Sequence, residues 1–264
     1  MKIGVIGLGN MATAMIGGIL KAGIVSPADV SGADHFETAV KAAGDKFGIV
    51  AGSDNLKAIE NADYVILAVK PQVYENVLNE IAGAVTDKQV IISIAPGKTL
   101  SYLEGFLGSG RKIVRLMPNT PALVGEGCTG VVKNENVTDD EFAVVLKLLN
   151  SFGRAYEVSE AQMDAVVAVS GSSPAYVFMM IEAMADGAVA EGLPRKTAIE
   201  MAAQAVLGSA KMVLETGKHP GELKDMVCSP AGTTIDAVAV LEAAGFRSGI
   251  IEAERACADR SRSL

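Results

Sequence analysis

Six residues near the amino terminus constrain this chain more than any other feature: Gly7-Leu8-Gly9-Asn10-Met11-Ala12. They follow a β-branched run at residues 2–6 and open a helix-like stretch at residues 11–22. The spacing is the G-x-G-x-x-G/A arrangement of dinucleotide-binding folds. Gly7 permits a tight turn, and Gly9 lets a pyrophosphate approach the backbone. Ala12 allows close helix–sheet packing, and the helix start offers N–H groups and positive potential to phosphates. A glycine-rich turn that binds nothing is the plain alternative. The strand before the motif, the helix after it and the pattern that follows weigh against it.

That pattern is alternation. Apolar runs at residues 30–33, 64–69, 90–94 and 113–116 alternate with helix-like stretches at 37–43, 73–82 and 100–107. Such alternation indicates βαβ units on a parallel sheet, whose strands are covered on both faces and read as unbroken apolar runs. Near residue 160 the strand runs cease. Ala- and Met-rich stretches at 175–191 and 194–216 follow, with Pro194 placed as a first-turn proline and Gly217 as a helix stop. Two more helical segments are expected at 234–244 and 248–258. The expected fold class is α/β: a Rossmann-type dinucleotide-binding domain over residues 1–160, then an all-α dimerisation domain over 161–264.

Composition narrows the partners. The 264 residues carry 23 basic and 31 acidic side chains, a net charge of −8, with no basic cluster. An acidic surface repels phosphate backbones, so no nucleic-acid partner is expected. The apolar share is 50%, too high for a disordered chain. No uninterrupted run of about 20 apolar residues exists. The nearest, residues 165–181, is interrupted by Ser170-Gly171-Ser172-Ser173-Pro174. No membrane partner is therefore expected. Cys128, Cys228 and Cys257 are scattered and odd in number, which suits a reducing, cytoplasmic setting. Along residues 175–191 the side chains Tyr176, Phe178, Met179, Met180, Ile181 and Met184 run most of the way round a helix. A helix apolar on all sides is buried on all sides, so a second copy of the chain is expected to cover it.

Further candidate site residues sit where strands end. Asp34, 25 residues after Gly9, is placed to accept from adenosine ribose hydroxyls and to repel a 2′-phosphate, which leans toward NADH. Its alternative role is to cap the helix that follows. Ala68-Val69-Lys70-Pro71 and Ile94-Ala95-Pro96 end two strands and belong at a ligand cleft. Lys70 is open between catalysis, an anion neighbour and a solvated cation. Arg115-Leu116-Met117-Pro118-Asn119-Thr120-Pro121 is open between the nicotinamide end of the cleft and a rigid connector. Ser229-Pro230-Ala231-Gly232-Thr233-Thr234 precedes a helix and is open between an anion site and N-capping by Thr233 or Thr234. The two histidines, His35 and His219, have no metal-ligand spacing with Cys or carboxylates, so no metal is expected.

Together these segments resemble the pyrroline-5-carboxylate reductase family over essentially the whole chain. The resemblance rests on residues 6–11, 68–71 and 117–121, on Ser170 to Tyr176, on Leu223-Lys224-Asp225, on residues 228–235 and on Gly245-Phe246-Arg247. It implies reduction of 1-pyrroline-5-carboxylate to L-proline, the last step of proline biosynthesis, with NADPH or NADH. It implies cofactor contacts at Ile6, Gly7, Leu8, Gly9, Asn10, Met11, Asn55, Ala68, Val69, Lys70, Pro71, Ile94, Ala95 and Pro96, beside the Asp34 read above. Ala231, Gly232, Thr233 and Thr234 would hold the substrate, with Thr234 the catalytic hydroxyl. It also implies a homodimer, assembled further into a decamer of five dimers. Asp34 stands where NADPH-preferring relatives carry a small or polar residue.

Two other functions fit parts of the sequence. A β-hydroxyacid dehydrogenase shares the two-domain plan, but its catalytic Lys is missing from residues 175–186. A non-catalytic dinucleotide sensor fits the first half and leaves the polar 229–234 loop unexplained.

Overall fold

The structure, a computed structural model, describes residues 1–263; Leu264, the last residue of the second expected domain, lies outside the described residues. By internal contacts the chain forms two compact units, Met1–Ser172 joined by the residues from Cys257 onward, and Ser173–Ala256.

The first unit is built on an eight-stranded sheet. Its strands are β1 (Ile3–Ile6), β2 (Val30–Ala33), β3 (Val50–Gly52), β4 (Tyr64–Leu67), β5 (Val90–Ser93), β6 (Lys112–Met117), β7 (Gly127–Lys133) and β8 (Gly153–Glu157). The order is β3-β2-β1-β4-β5-β6-β7-β8, and only the β6–β7 pairing is antiparallel. β1, β4 and β5 are buried at every residue. Their side chains feed two cores, one on each face: Val5, Ile66, Ile92 and Val114 on one, Ile6, Leu67, Ile91 and Ile113 on the other. The chain leaves β1 toward β2 on one side and returns to β4 on the other. The carboxyl ends of β1 and β4 therefore flank the point where strand order reverses, where open parallel sheets bind ligands.

Helices α1 (Asn10–Lys21), α2 (Glu37–Phe47), α3 (Asn55–Ile59), α4 (Tyr74–Ile81), α5 (Leu100–Leu107) and α6 (Asp139–Leu149) cover the sheet. α1 packs closely because its inward residues are small. Ala12 and Ala14 are buried, and a Cβ on Gly18 would lie 2.6 Å from that of Phe152. β3, β7, β8, α3 and α6 lie outside the elements read from sequence.

A short α7 (Met163–Val166) passes through a π-helical turn, Val167–Ser172, into α8 (Ser173–Ala190). Ser170 to Pro174 interrupt the apolar run but not the helix. The stretch Glu160–Ala190 is one helix of 31 residues, long and apolar enough by length and composition to cross a membrane. Pro174 has no N–H for the carbonyl of Ser170, yet the helix continues. That carbonyl accepts instead from Asn119 Nδ2 at 2.9 Å, and the wider π turn absorbs the proline ring. The same packing explains why the contact boundary falls at residue 172, later than the 160/161 division read from sequence. Val166 lies against Gly130 of β7, where a Cβ would sit 2.6 Å from it.

The second unit holds α8, α9 (Arg195–Thr216), α10 (Pro220–Val227), α11 (Thr233–Ala243) and most of α12 (Phe246–Arg262). α8 and α9 meet through small residues: Ala185, Ala198 and Ala202 are buried. Pro194 is the residue before α9 rather than its first, and Gly217 ends the helix at φ 64°. Ala185 is the only buried residue of α8; Phe178 is 62% and Met179 68% exposed on the single chain.

Candidate active site

Gly7 leaves β1 at φ +91°, and a Cβ there would stand 2.7 Å from the carbonyl oxygen of Ala68. Only glycine satisfies both conditions. Its N–H donates to the carbonyl of Ala33 at 2.7 Å, tying the loop to the end of β2. Gly9 caps α1 with no side chain over the helix end, and a Cβ there would meet nothing within 4 Å. No acidic residue occupies the first turn of α1. The start of α1 is thus a bare, positively poled surface open to an anion.

Asp34 adds a second constraint. Its carboxylate accepts from the Leu8 N–H at 2.8 Å and from the Phe36 N–H at 3.0 Å. Phe36 is itself the residue before α2, so Asp34 does not serve the helix's first-turn N–H groups. Its side chain is 13% exposed and lies at the wall of a cleft. The cleft, about 640 Å³, opens beyond the ends of β1, β2 and β4. It brings together Ile6, Gly7, Gly9, Asp34, Asn55, Ala68, Val69 and Lys70 of the residues named from sequence.

The remaining named residues of this half lie outside that lining. Leu8 is buried against Gly32 and offers only its backbone, while Met11 packs against the core. Asn10 is exposed at the helix start. Pro71 begins a short 3₁₀ turn. Ile94, Ala95 and Pro96 follow β5, one strand farther on; Ala95 is buried in one core and Ile94 packs on the other. Lys70 is exposed and makes no ion pair among the described residues. The loop at residues 117–121 does not reach this cleft either. Asn119 is buried, with its amide bonded to Ser170 O at 2.9 Å and to Cys128 N at 2.8 Å.

The cleft also has walls that the sequence did not single out. His35 and Phe36 line one side, and Gln72, Val73, Asn76, Val77 and Glu80 line another. Glu80 accepts from Asn55 Nδ2 at 2.8 Å, so two helices meet over the cleft. No local signal links residues 25 apart on separate helices.

In the second unit the 229–234 loop is a tight turn. Ala231 has φ 55°, the only non-glycine positive φ among the described residues. A Cβ on Gly232 would lie 2.3 Å from Ser229 Oγ and 3.1 Å from Ser229 O, so a side chain at position 232 would displace the Ser229 hydroxyl. Gly232 caps α11 with no side-chain hydrogen bond, which removes the reading of Thr233 or Thr234 as the N-cap. Neither threonine hydroxyl has a hydrogen-bond partner among the described residues, and Thr234 is half-buried. The start of α11 therefore offers first-turn backbone N–H groups beside the Thr233 and Thr234 hydroxyls. Among the described residues no group of His, Cys, Asp and Glu is placed to hold a metal ion.

The chain is 51% identical over 263 residues to the pyrroline-5-carboxylate reductase of Escherichia coli, covering 100% of this chain and 98% of that one. The chain belongs to the pyrroline-5-carboxylate reductase family. Residues 160–264 match the family model for pyrroline-5-carboxylate reductase dimerisation, and residues 2–97 match that described as NADP oxidoreductase, coenzyme F420-dependent. A solved pyrroline carboxylate reductase from Plasmodium falciparum, with NADP bound, is 33% identical at TM-score 0.90, covering 100% of this chain and 97% of that one. A pyrroline-5-carboxylate reductase from Coxiella burnetii is 36% identical at TM-score 0.92, covering 99% and 97%. The α/β architecture, a nucleotide-binding sheet followed by a helical dimerisation domain, is that of pyrroline-5-carboxylate reductases.

Proposed function

We propose that this chain reduces 1-pyrroline-5-carboxylate to L-proline with NADPH or NADH, the last step of proline biosynthesis. The observation that carries the reading is full-length likeness to reductases of that name. The bare helix start at Gly9 and the cleft beside it fit a dinucleotide. Residues 6–11, Asp34, Asn55 and 68–71 would hold it, with residues 94–96 beyond. When bound, the reduced nicotinamide supplies a hydride.

The chain's own residues then have modest tasks. A protonated cyclic imine is already a strong electrophile, and its reduction develops no oxyanion. No strong general acid is needed, and positioning supplies much of the rate. The backbone from Ala231 to Thr233 would hold the substrate carboxylate, and the Thr234 hydroxyl would hydrogen-bond the ring nitrogen.

In this reading residues 1–160 form the dinucleotide domain and 161–264 the dimerisation and substrate domain. The exposed apolar face of α8, with Phe178, Met179 and Met184, supports a homodimer; assembly into a decamer of five dimers rests on the family resemblance alone. The enzyme would work in the cytoplasm, apart from membranes and nucleic acids. The test is loss of reduced-nicotinamide absorbance with 1-pyrroline-5-carboxylate and, separately, with a 3-oxo acid. Turnover with the imine alone supports the reading. Turnover with the oxo acid alone would favour a β-hydroxyacid dehydrogenase, and turnover with neither a non-catalytic dinucleotide sensor.

A further inference from the structure

Tyr74 is the first residue of α4 and is fully buried. Its hydroxyl donates to the carbonyl oxygen of Leu67 at 2.8 Å and lies 3.0 Å from Ser93 Oγ. Leu67 and Ser93 are the last residues of β4 and β5 and face each other in register. The next rung of this parallel ladder, Ile94 N–H to Leu67 O, is stretched to 3.4 Å. On the other side of β4 the equivalent rung, Ala68 N–H to Ile6 O, is 2.7 Å. The two strands therefore part where the phenol enters, and Leu67 O is satisfied by a side chain as well as by the ladder.

The segments leaving this junction are residues 68–71 and 94–96, both assigned to the dinucleotide in the reading above. The helix that Tyr74 begins carries Asn76, Val77 and Glu80, which line the cleft, along with Val73 just before it. One hydroxyl thus anchors a cleft wall and two strand ends. Burial pushes the phenol's pKa well above its ordinary value, so the group stays a neutral donor across the working pH range.

We propose that Tyr74 is a positioning residue for the dinucleotide: its hydroxyl fixes α4 and the ends of β4 and β5 in the geometry that binds NADH or NADPH. A buried tyrosine serving the core alone would need only its ring. Here the polar end is placed at the cleft end of the sheet, where the ladder opens. This inference rests on the dinucleotide reading of the cleft.

Tyr74→Phe keeps the ring and removes the hydroxyl, leaving Leu67 O with only the stretched bond from Ile94 N–H and Ser93 Oγ without the phenol. The dissociation constants of NADH and NADPH, read by nicotinamide fluorescence, are expected to rise about tenfold. The KM for 1-pyrroline-5-carboxylate at saturating dinucleotide is expected to stay within about twofold. Tyr64→Phe, at the far end of the same strand, is expected to leave dinucleotide binding unchanged. If Tyr74→Phe does not accumulate folded, Ser93→Ala removes the hydroxyl's second partner and is expected to raise both constants about threefold. Thermal destabilisation with unchanged dinucleotide affinity would overturn the proposal and leave Tyr74 a core residue. A wild-type chain that binds neither dinucleotide would overturn the reading of the cleft itself.

Discussion

The side-chain amide of Asn119 donates to the carbonyl of Ser170 at 2.9 Å, and that carbonyl is the one Pro174 has no N–H to serve. The loop after β6 and the helix entering the second unit are thus halves of one polar arrangement. Asn119→Ala removes the side-chain partner of the buried Ser170 O and of the half-buried Cys128 N. The expected loss of stability is about 2–4 kcal/mol in denaturant unfolding. Asn119→Asp is not expected to rescue it, because a carboxylate oxygen cannot donate to Ser170 O. A loss within about 0.5 kcal/mol would show that the helix tolerates Pro174 unaided.

Asp34 is expected to set the dinucleotide preference. Its carboxylate is held at the cleft wall by the N–H groups of Leu8 and Phe36. A 2′-phosphate placed there would meet a fixed negative charge. NADH is expected to be used at least as well as NADPH by kcat/KM. Asp34→Asn is expected to shift the ratio toward NADPH by about tenfold, the effect of one solvent-screened charge contact of about 1.4 kcal/mol. A strong wild-type preference for NADPH would mean that the phosphate lies away from Asp34.

Thr234 and Ala231 test the proposed substrate loop in two ways. Thr234→Ala is expected to lower turnover at least about tenfold while NADH binding persists, because one hydrogen bond to the ring nitrogen is lost. Ala231→Gly should relieve about 1 kcal/mol of left-handed backbone strain. It should raise thermal stability and, by loosening the turn, raise the KM for the imine. Unchanged turnover in Thr234→Ala would remove its role.

Glu141 gives stability an acid limit. Burial raises its carboxyl pKa, but hydrogen bonds from Lys112 and from Thr138 outweigh this and hold it below 4.5, its ordinary value. Its carboxylate accepts from Lys112 Nζ at 2.6 Å and closes a capping box with Thr138. A carboxyl depressed in the folded state stabilises fully above its unfolded pKa, and that contribution disappears as pH falls through the folded pKa. Thermal stability of the wild type is therefore expected to decline below pH 4.5 more steeply than that of Glu141→Gln. Parallel pH profiles of the two would show Glu141 to be idle.

The parts of this fold legible in sequence were those with local requirements. Gly7, Gly9 and Ala12 announce themselves because a tight turn and a close helix need small residues at fixed spacing. β1, β4 and β5 do so because burial on both faces needs unbroken apolar runs. β3 is too short to show a period, and β8 is largely exposed. The roles of Asn119 and Glu80 were not legible for a different reason. Each depends on a partner far along the chain, Ser170 and Asn55, and side-chain type alone does not name a partner. Asp34 was half legible: its position at a strand end pointed to the cleft, but its bond to Leu8 appears only in three dimensions.

The most direct test of the account uses reduced dinucleotide carrying deuterium at both positions of the reactive carbon of the nicotinamide, incubated with the chain and 1-pyrroline-5-carboxylate. The prediction is one deuterium in the proline formed, on the ring carbon that held the C=N bond. Proline without deuterium, or no proline while the dinucleotide is bound, would contradict hydride transfer to a cyclic imine as the work of this site.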